Sequence, residues 1–139
     1  MKAMLIDENR NLVWSDVENP TVGPRDVLIE IHAAALNRAD LLQRQGKYPS
    51  PKGCPPWMGL EVAGIVCETG AEVTRWRTGD RVCALLGGGG YAEYVAVDEG
   101  MVMPVPGGLS FEEAASLPEA YATCYLNLFR EGGYRPGET

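Results

Sequence analysis

The sequence predicts a mainly β domain, a small and partly open β-barrel with short helices. Short apolar segments recur along the chain, and 17 glycines and 10 prolines punctuate them. Helical periodicity is confined to one segment after Asn37 and another after Ser110. A chain of 139 residues is the size of one domain, which buries roughly two-thirds of its unfolded surface.

Seven segments read as strands, and strands at this spacing predict a barrel rather than a helical bundle. In the third, Val27, Ile29 and Ile31 alternate with more polar positions, as expected of a half-buried strand. His32 then lies on the wetter face, where a solvated histidine is a better interpretation than a ligand or general base. The seven segments are KAMLID, NLVWSDV, DVLIEIHAAAL, LEVAGIVCETG, DRVCALL, YAEYVAV and MVMPVP.

The segment NRADLLQRQGKY predicts the first helix. Asn37 is a favourable N-cap, and Asp40 is spaced to complete a capping box. Leu41 and Leu42 supply an apolar side, and Gly46 ends the helix. Asn37 can therefore be a cap alone or a cap with a chemical role, while Arg38 and Asp40 are interpreted as a local ion pair or cap.

A second helical region starts at Ser110, which forms a capping box with Glu113. Pro118 restarts the helix, and Gly132 and Gly133 end it. Its apolar residues cover a wide arc, so we expect neighbours on more than one side of this helix.

Charge and hydropathy exclude several partners. A net charge of −7 and a pI near 4.7 oppose nucleic-acid binding, which depends on Lys and Arg. No apolar run reaches the roughly 20 residues that span a membrane. The N-terminus MKAMLIDENR becomes acidic too early for a signal peptide. We therefore predict a cytoplasmic protein that binds neither nucleic acid nor membrane.

The cysteines predict no zinc site. Cys54, Cys67, Cys83 and Cys124 form no CxxC pair, and His32 is the one histidine. We expect reduced thiols, mostly buried as small apolar residues. The glycine run from 87 to 90 lacks the Lys-Ser/Thr pair of a P-loop, which argues against phosphate binding.

Several blocks taken in order resemble the N-terminal catalytic domain of the zinc-free quinone oxidoreductases of the medium-chain dehydrogenase/reductase superfamily, above all the p53-inducible quinone oxidoreductase group. The resemblance implies that residues 1–139 form a GroES-like domain, whose parent protein continues into a Rossmann domain absent here. The blocks are ALNRADLLQRQGKYP, GLEVAGIV, GDRVCALL, GGYAEYVAV, MPVPGGLSFEEAASLPEAYATCY and PGET.

The same resemblance implies the site. Asn37 and Tyr48 are the expected catalytic residues and, with Thr123, contact the nicotinamide of NADPH. Asn37 and Leu60 stand where zinc-containing relatives carry a cysteine and a histidine, so we expect no catalytic zinc. A quinone accepts hydride readily, and donors such as Asn37 and Tyr48 would stabilise its oxygen. The expected apolar substrate wall is Leu60, Trp57 and Leu86.

Two alternatives share these residues. An enoyl or alkenal reductase makes the same demand for a hydride-accepting carbon and a stabilised oxygen. A GroES-like module that acts through interaction, without catalysis, is the other. We expect the isolated chain to be inactive, because the nucleotide-binding half is missing. We also expect the uncovered helix from Pro118 to Arg130 to favour self-association.

Overall fold

A computed structural model describes residues 1–138, and its strands and helices agree with the predicted mainly β class. Residues 1–138 contain seven strands, as the sequence predicted. They are β1 (Lys2–Ile6), β2 (Leu12–Asp16), β3 (Asp26–Ala34), β4 (Glu61–Thr69), β5 (Arg81–Leu85), β6 (Tyr94–Asp98) and β7 (Val102–Pro104). The helices are α1 (Arg38–Arg44), α2 (Phe111–Ala115) and α3 (Pro118–Tyr125), the last continuing as a π-helical segment, Leu126–Glu131.

The strands form two antiparallel sheets. β1 and β2 make a hairpin, and the other five strands lie in the order β6-β3-β4-β5-β7. The central strand β4 is buried from its first residue, Glu61, through Gly64. A side chain on Gly64 would collide with the backbone carbonyl of Glu30 on β3. The close approach of β3 and β4 thus requires glycine at this position.

The two faces of the five-stranded sheet bury different residues. One face carries the main core of branched aliphatic side chains, including Val27, Ile29 and Val62. On the other face α2 packs through small residues, which allow close contact between helix and sheet: Ala63, Cys83, Ala114 and Ala115. The predicted capping box at the start of α2 is confirmed, because Ser110 and Glu113 bond each other's backbone N–H.

The aromatic ring that opens α2 lies between two basic side chains. The Arg81 guanidinium carbon is 4.5 Å from the Phe111 ring centroid, and the His32 ring centroid is 4.6 Å from the same point. His32 is exposed, as the strand pattern predicted. Its ring packs on Phe111, which attaches α2 to β3 and β5 of the sheet.

The inner face of α1 differs from the prediction. Asp40 and Gln43 are its buried residues, whereas Leu41 is 56% exposed. The apolar side assigned to Leu41 and Leu42 is therefore wrong for Leu41. The reason is that α1 packs on loop and strand-end backbone rather than on a core: the Gln43 amide donates to Ser50 Oγ at 2.9 Å and to the Pro56 carbonyl at 3.0 Å.

The C-terminal helical region is largely uncovered. Tyr121, Tyr125 and Phe129 are all more than 40% exposed, and the rings of Tyr125 and Phe129 pack at 5.3 Å. No helix within residues 1–138 is both long and apolar enough to cross a membrane. The prediction of mostly buried thiols is wrong: of the four cysteines, one is buried (Cys83), two are half-buried (Cys54 and Cys67) and one is exposed (Cys124).

Glu99 fixes the loop after β6 to the segment before β5. Its side chain accepts the backbone N–H groups of Thr74 at 3.0 Å and Arg75 at 3.1 Å, which hold the pKa of Glu99 below its usual value. The unfolded chain protonates Glu99 near pH 4.3, and the folded chain does so at a lower pH. This contribution to stability is therefore present above about pH 4.3 and is lost as pH falls through the folded-state pKa.

The variant Glu99→Gln should consequently lose less stability than the wild type on acidification. Glutamine keeps the shape but does not ionise in this range. Urea unfolding followed by circular dichroism at about pH 5, 4 and 3 would measure the difference. Parallel acid dependences in the two proteins would contradict the role assigned to Glu99.

Candidate active site

The N-terminal ends of three elements meet at the carboxylate of Glu61. Glu61 opens β4 and is 2% exposed. Its Oε1 accepts Nδ2–H of Asn37, the N-cap of α1, at 2.9 Å, and its Oε2 accepts the backbone N–H of Glu119, in the first turn of α3, at 2.8 Å. One buried carboxylate thus ties α1 to α3.

The contact with Glu61 fixes the side chain of Asn37. It uses one hydrogen of the Asn37 amide, and the second makes no hydrogen bond to residues 1–138. Asn37 is partly buried, so its free N–H is held in one direction and is only partly hydrated. A donor held in this way can stabilise an oxygen on which negative charge develops.

A second buried carboxylate, that of Asp40, holds the backbone around Asn37. Its Oδ2 accepts the backbone N–H of Asn37 at 2.7 Å and the hydroxyl of Tyr91 at 2.9 Å, and its Oδ1 accepts the N–H of Gly59 at 3.1 Å. Asp40 is 3% exposed, so all three donors point at a dehydrated anion. The prediction that Asp40 caps α1 is confirmed; its hydrogen bonds reach beyond the helix.

Tyr91 is a donor in this network rather than a base. Burial, first, and the hydrogen bond to Asp40 raise the pKa of Tyr91. The folded chain keeps the phenol proton to a higher pH than the unfolded chain, which releases it near pH 10. Stability from this group is therefore complete below about pH 10 and falls as pH rises further.

The variant Tyr91→Phe should remove part of this alkaline loss of stability, because phenylalanine has no proton to release. Urea unfolding at about pH 8 and pH 11 would test this. Tyr94→Phe is the matched control, since the Tyr94 hydroxyl has no hydrogen bond in the described chain. An unchanged alkaline dependence in Tyr91→Phe would contradict the prediction.

Thr123 lies one turn after the α3 residue that contacts Glu61. Its hydroxyl donates to the side chain of Glu119 at 3.0 Å, and the residue is exposed. The route from Asn37 through Glu61 and Glu119 to Thr123 is continuous through hydrogen bonds and one residue's backbone. Two of the predicted cofactor contacts are thus joined through one network.

Tyr48 lies in a neighbouring cavity. This cavity, of about 460 Å³, is lined by Tyr48, Gln43, Ser50 and the proline-rich loop, and Asn37 is not among its lining residues. Tyr48 is 39% exposed. No hydrogen bond joins Tyr48 to Asn37 within residues 1–138, and the shared role of these two residues stays a prediction.

The three residues of the predicted substrate wall lie in different surroundings. Leu60 and Leu86 are 6% and 7% exposed, and the N–H of Leu86 donates to the Leu60 carbonyl at 2.7 Å. Trp57 donates from Nε1 to the Gly89 carbonyl at 3.1 Å and lines a cavity of about 470 Å³ beside the N-terminus. A common wall stays a prediction.

The glycine run packs the proline-rich loop against the end of the sheet. A Cβ atom on Gly87 would lie 2.5 Å from Cys54 Sγ, and one on Gly89 would lie 2.8 Å from the Pro55 ring. A Cβ atom on Gly59, whose φ is +105°, would lie 2.5 Å from the Tyr91 backbone nitrogen. Close packing thus accounts for the absence of side chains here and supports the argument against a phosphate loop.

Side chains that bind metals are not grouped near Asn37. Within residues 1–138 no three His, Cys, Asp or Glu side chains are placed to hold one ion. Asp40 and Glu61 are already bonded to neutral donors. This donor set does not fit a catalytic zinc, which needs three protein ligands.

Sequence comparison gives the family. Residues 23–107 match the family described as the alcohol dehydrogenase GroES-like domain. The chain belongs to this family. The predicted GroES-like fold within the medium-chain dehydrogenase/reductase superfamily is thereby confirmed.

Several relatives of this GroES-like domain are named as oxidoreductases or as similar to them. Quinone oxidoreductase-like protein 2 of Bos taurus is 36% identical over 137 residues, which are 99% of this chain and 39% of the bovine protein. A quinone oxidoreductase of Thermus thermophilus, solved also as its complex with NADPH, matches at a TM-score of 0.79 and 37% identity, over 99% of this chain and 43% of that one. CurK enoyl reductase matches at a TM-score of 0.87 and 28% identity, over 99% and 45%.

The GroES-like domain spans less than half the length of these relatives.

Two residues of the site could not be predicted from the sequence. Glu119 contributes only its backbone N–H, which no residue type reveals. Tyr91 was visible only as an aromatic residue on a strand. Its partner Asp40 is 51 residues away, so no local pattern joins them.

Proposed function

We propose that this chain is the substrate-side domain of an NADPH-dependent reductase that transfers hydride to a quinone without a metal ion. The observation that carries the proposal is the Asn37 amide, held by buried Glu61 with one N–H free. The similarity to quinone oxidoreductases supports the acceptor class and the cofactor. A cytoplasmic location stays a prediction.

The side chains present fit the nicotinamide end of NADPH. A carboxamide needs both a donor and an acceptor. The hydroxyl of Thr123 can offer the donor and Oδ1 of Asn37 the acceptor, which leaves the free Asn37 N–H for the substrate. NADPH supplies the hydride when it is bound. Its remaining contacts belong to a Rossmann domain of the complete gene product, in keeping with the share of each relative that this chain covers.

Asn37 and Tyr48 stabilise the negative charge that develops on the oxygen of the quinone. Asn37 donates its free N–H to that oxygen, and a donor fixed in a dry site contributes about 2.7–4 kcal/mol to the transition state. Tyr48 donates its phenol hydrogen or relays a proton, and near neutral pH a phenol is a better donor than base. A quinone needs no Lewis acid, because it accepts hydride readily.

The proposal is tested by assaying the complete gene product with NADPH and a simple benzoquinone before and after treatment with a strong chelator. We expect quinone reduction that the chelator leaves unchanged, and no turnover by residues 1–139 alone. Loss of activity on chelation, with recovery only on adding zinc, would contradict the metal-free mechanism.

Enone reduction is the second candidate, because CurK enoyl reductase shares this fold at a TM-score of 0.87. A conjugated enone assayed beside the quinone distinguishes the two, since a preference for the enone in kcat/KM would reassign the substrate. If neither compound is reduced, the remaining candidate is a GroES-like interaction module.

The variant Tyr48→Phe should lower kcat about tenfold in the complete gene product. Tyr48 is 39% exposed, so water partly replaces the lost donor and the effect is near 1.4 kcal/mol. Tyr94→Phe again serves as the control. Full activity in Tyr48→Phe would remove Tyr48 from the mechanism.

A further inference from the structure

The carboxylate of Glu61 receives one donor on each oxygen. Asn37 presents Nδ2–H at 2.9 Å, and Glu119 presents a backbone N–H at 2.8 Å. The residue is 2% exposed, so water cannot readily replace either partner. This carboxylate joins the active-site amide to the helix that carries Thr123.

We propose that Glu61 is a positioning residue that holds the Asn37 N–H in register with α3, an inference that rests on the proposed function. The residue does not touch the substrate. It sets the direction of the free Asn37 hydrogen relative to Thr123, so that the donor for the acceptor oxygen and the contact for the nicotinamide keep one fixed separation.

The chemistry of the two donors makes a carboxylate necessary at this position. A glutamine has one accepting oxygen, and its Nε2 is a donor. If that oxygen accepts the N–H of Glu119, then Nε2 faces Asn37 Nδ2, donor against donor. Asn37 must then turn by half a rotation to offer Oδ1, and its N–H leaves the direction that the wild type fixes.

The variant Glu61→Gln in the complete gene product should therefore lower kcat for quinone reduction about tenfold to hundredfold, because small displacements of a positioned group have effects of this size. The KM for NADPH should stay within about twofold, since the remaining nucleotide contacts are untouched. An unchanged kcat would overturn the proposal.

Glu99→Gln is the matched control. Glu99 is also buried, at 5% exposed, and also accepts two N–H groups. Glu99 follows β6, which pairs at its end with Asp26 at the beginning of β3. Asn37 follows the opposite end of β3. We therefore expect Glu99→Gln to reduce stability and to leave kcat unchanged. An equal fall of kcat in both variants would show a general effect of stability and overturn the assignment.

A double variant separates the effect of the Asn37 N–H from the effect of losing the hydrogen bonds of Glu61. In Glu61→Gln with Asn37→Asp, glutamine Nε2 donates to the new aspartate and its oxygen accepts from Glu119, so both hydrogen bonds return with reversed polarity. Thermal stability should recover toward the wild type while kcat stays low, because no N–H is offered at position 37. Recovery of kcat would contradict the proposal.

A spectroscopic measurement on the 139-residue chain does not depend on activity. The side-chain amide of Asn37, assigned by ¹⁵N NMR, should show two strongly separated proton shifts in the wild type, one bonded to Glu61 and one free. The separation should collapse or invert in Glu61→Gln and persist in Glu99→Gln. An unchanged pair of proton shifts in Glu61→Gln would overturn the positioning role of Glu61, whatever the gene product reduces. Failure to reduce quinones would reject only the proposed function.

Discussion

Replacing Asn37 with alanine is expected to lower kcat for quinone reduction about a hundredfold in the complete gene product. The hydrogen bond from Asn37 Nδ2 to Glu61 at 2.9 Å fixes the direction of the second, free N–H. Loss of one preorganised donor to a developing oxyanion costs about 2.7–4 kcal/mol. The effect should be in kcat rather than in the KM for NADPH, because the interaction strengthens as charge develops. Steady-state kinetics with a benzoquinone would measure it.

The same substitution removes a helix N-cap, so a second variant must keep the fold intact. Asn37→Ser retains a residue type favoured at N-caps, so it should lose less stability than Asn37→Ala while still losing most of kcat. Asn9→Ala, an asparagine in the exposed β1–β2 turn, should leave both constants unchanged. A fully active Asn37→Ser would assign Asn37 to capping alone.

Replacing Asp40 with alanine is expected to destabilise the chain by about 3 kcal/mol or more. The N–H groups of Asn37 and Gly59 lose their acceptor, and each unsatisfied buried donor costs about 1–3 kcal/mol. The Tyr91 hydroxyl keeps the Ala35 carbonyl, at 3.2 Å, and contributes less to the loss. Urea unfolding would show a lower midpoint at an unchanged slope.

Two further variants serve as controls for Asp40→Ala. Asp40→Asn should lose less stability, because its amide oxygen can still accept from Asn37 and Tyr91 while its Nδ2 faces the N–H of Gly59. Asp16→Ala removes an aspartate whose side chain is 85% exposed and paired with Lys2, and such surface pairs contribute about 0–1 kcal/mol. Equal losses in Asp40→Ala and Asp16→Ala would be inconsistent with a buried network.

The sequence predicts those parts of the fold that depend on local spacing. Strand alternation around Ile29 and the box of Ser110 with Glu113 both occur in the structure. The prediction that Leu41 is buried is wrong, because the pattern assumes that helices bury apolar residues. Helix α1 instead lies on polar backbone and buries Asp40 and Gln43.

The candidate site could be only partly predicted, for a related reason. Asn37 and Asp40 were identified from their spacing, but the contacts that give them a role are remote. Glu61 reaches Asn37 across 24 residues and Glu119 across 58. Such contacts depend on how the sheet brings strand ends together, and one-dimensional periodicity carries no record of this.

The attachment of α3 at its first turn has a mechanical consequence. From Glu119 the helical path runs on to Glu131, a length of roughly 18 Å at 1.5 Å per residue, and its outer residues are exposed. A tilt of about 10° about the hydrogen bond from the Glu119 N–H to Glu61 would move the far end of this path by roughly 3 Å over that length, and its N-terminal end very little.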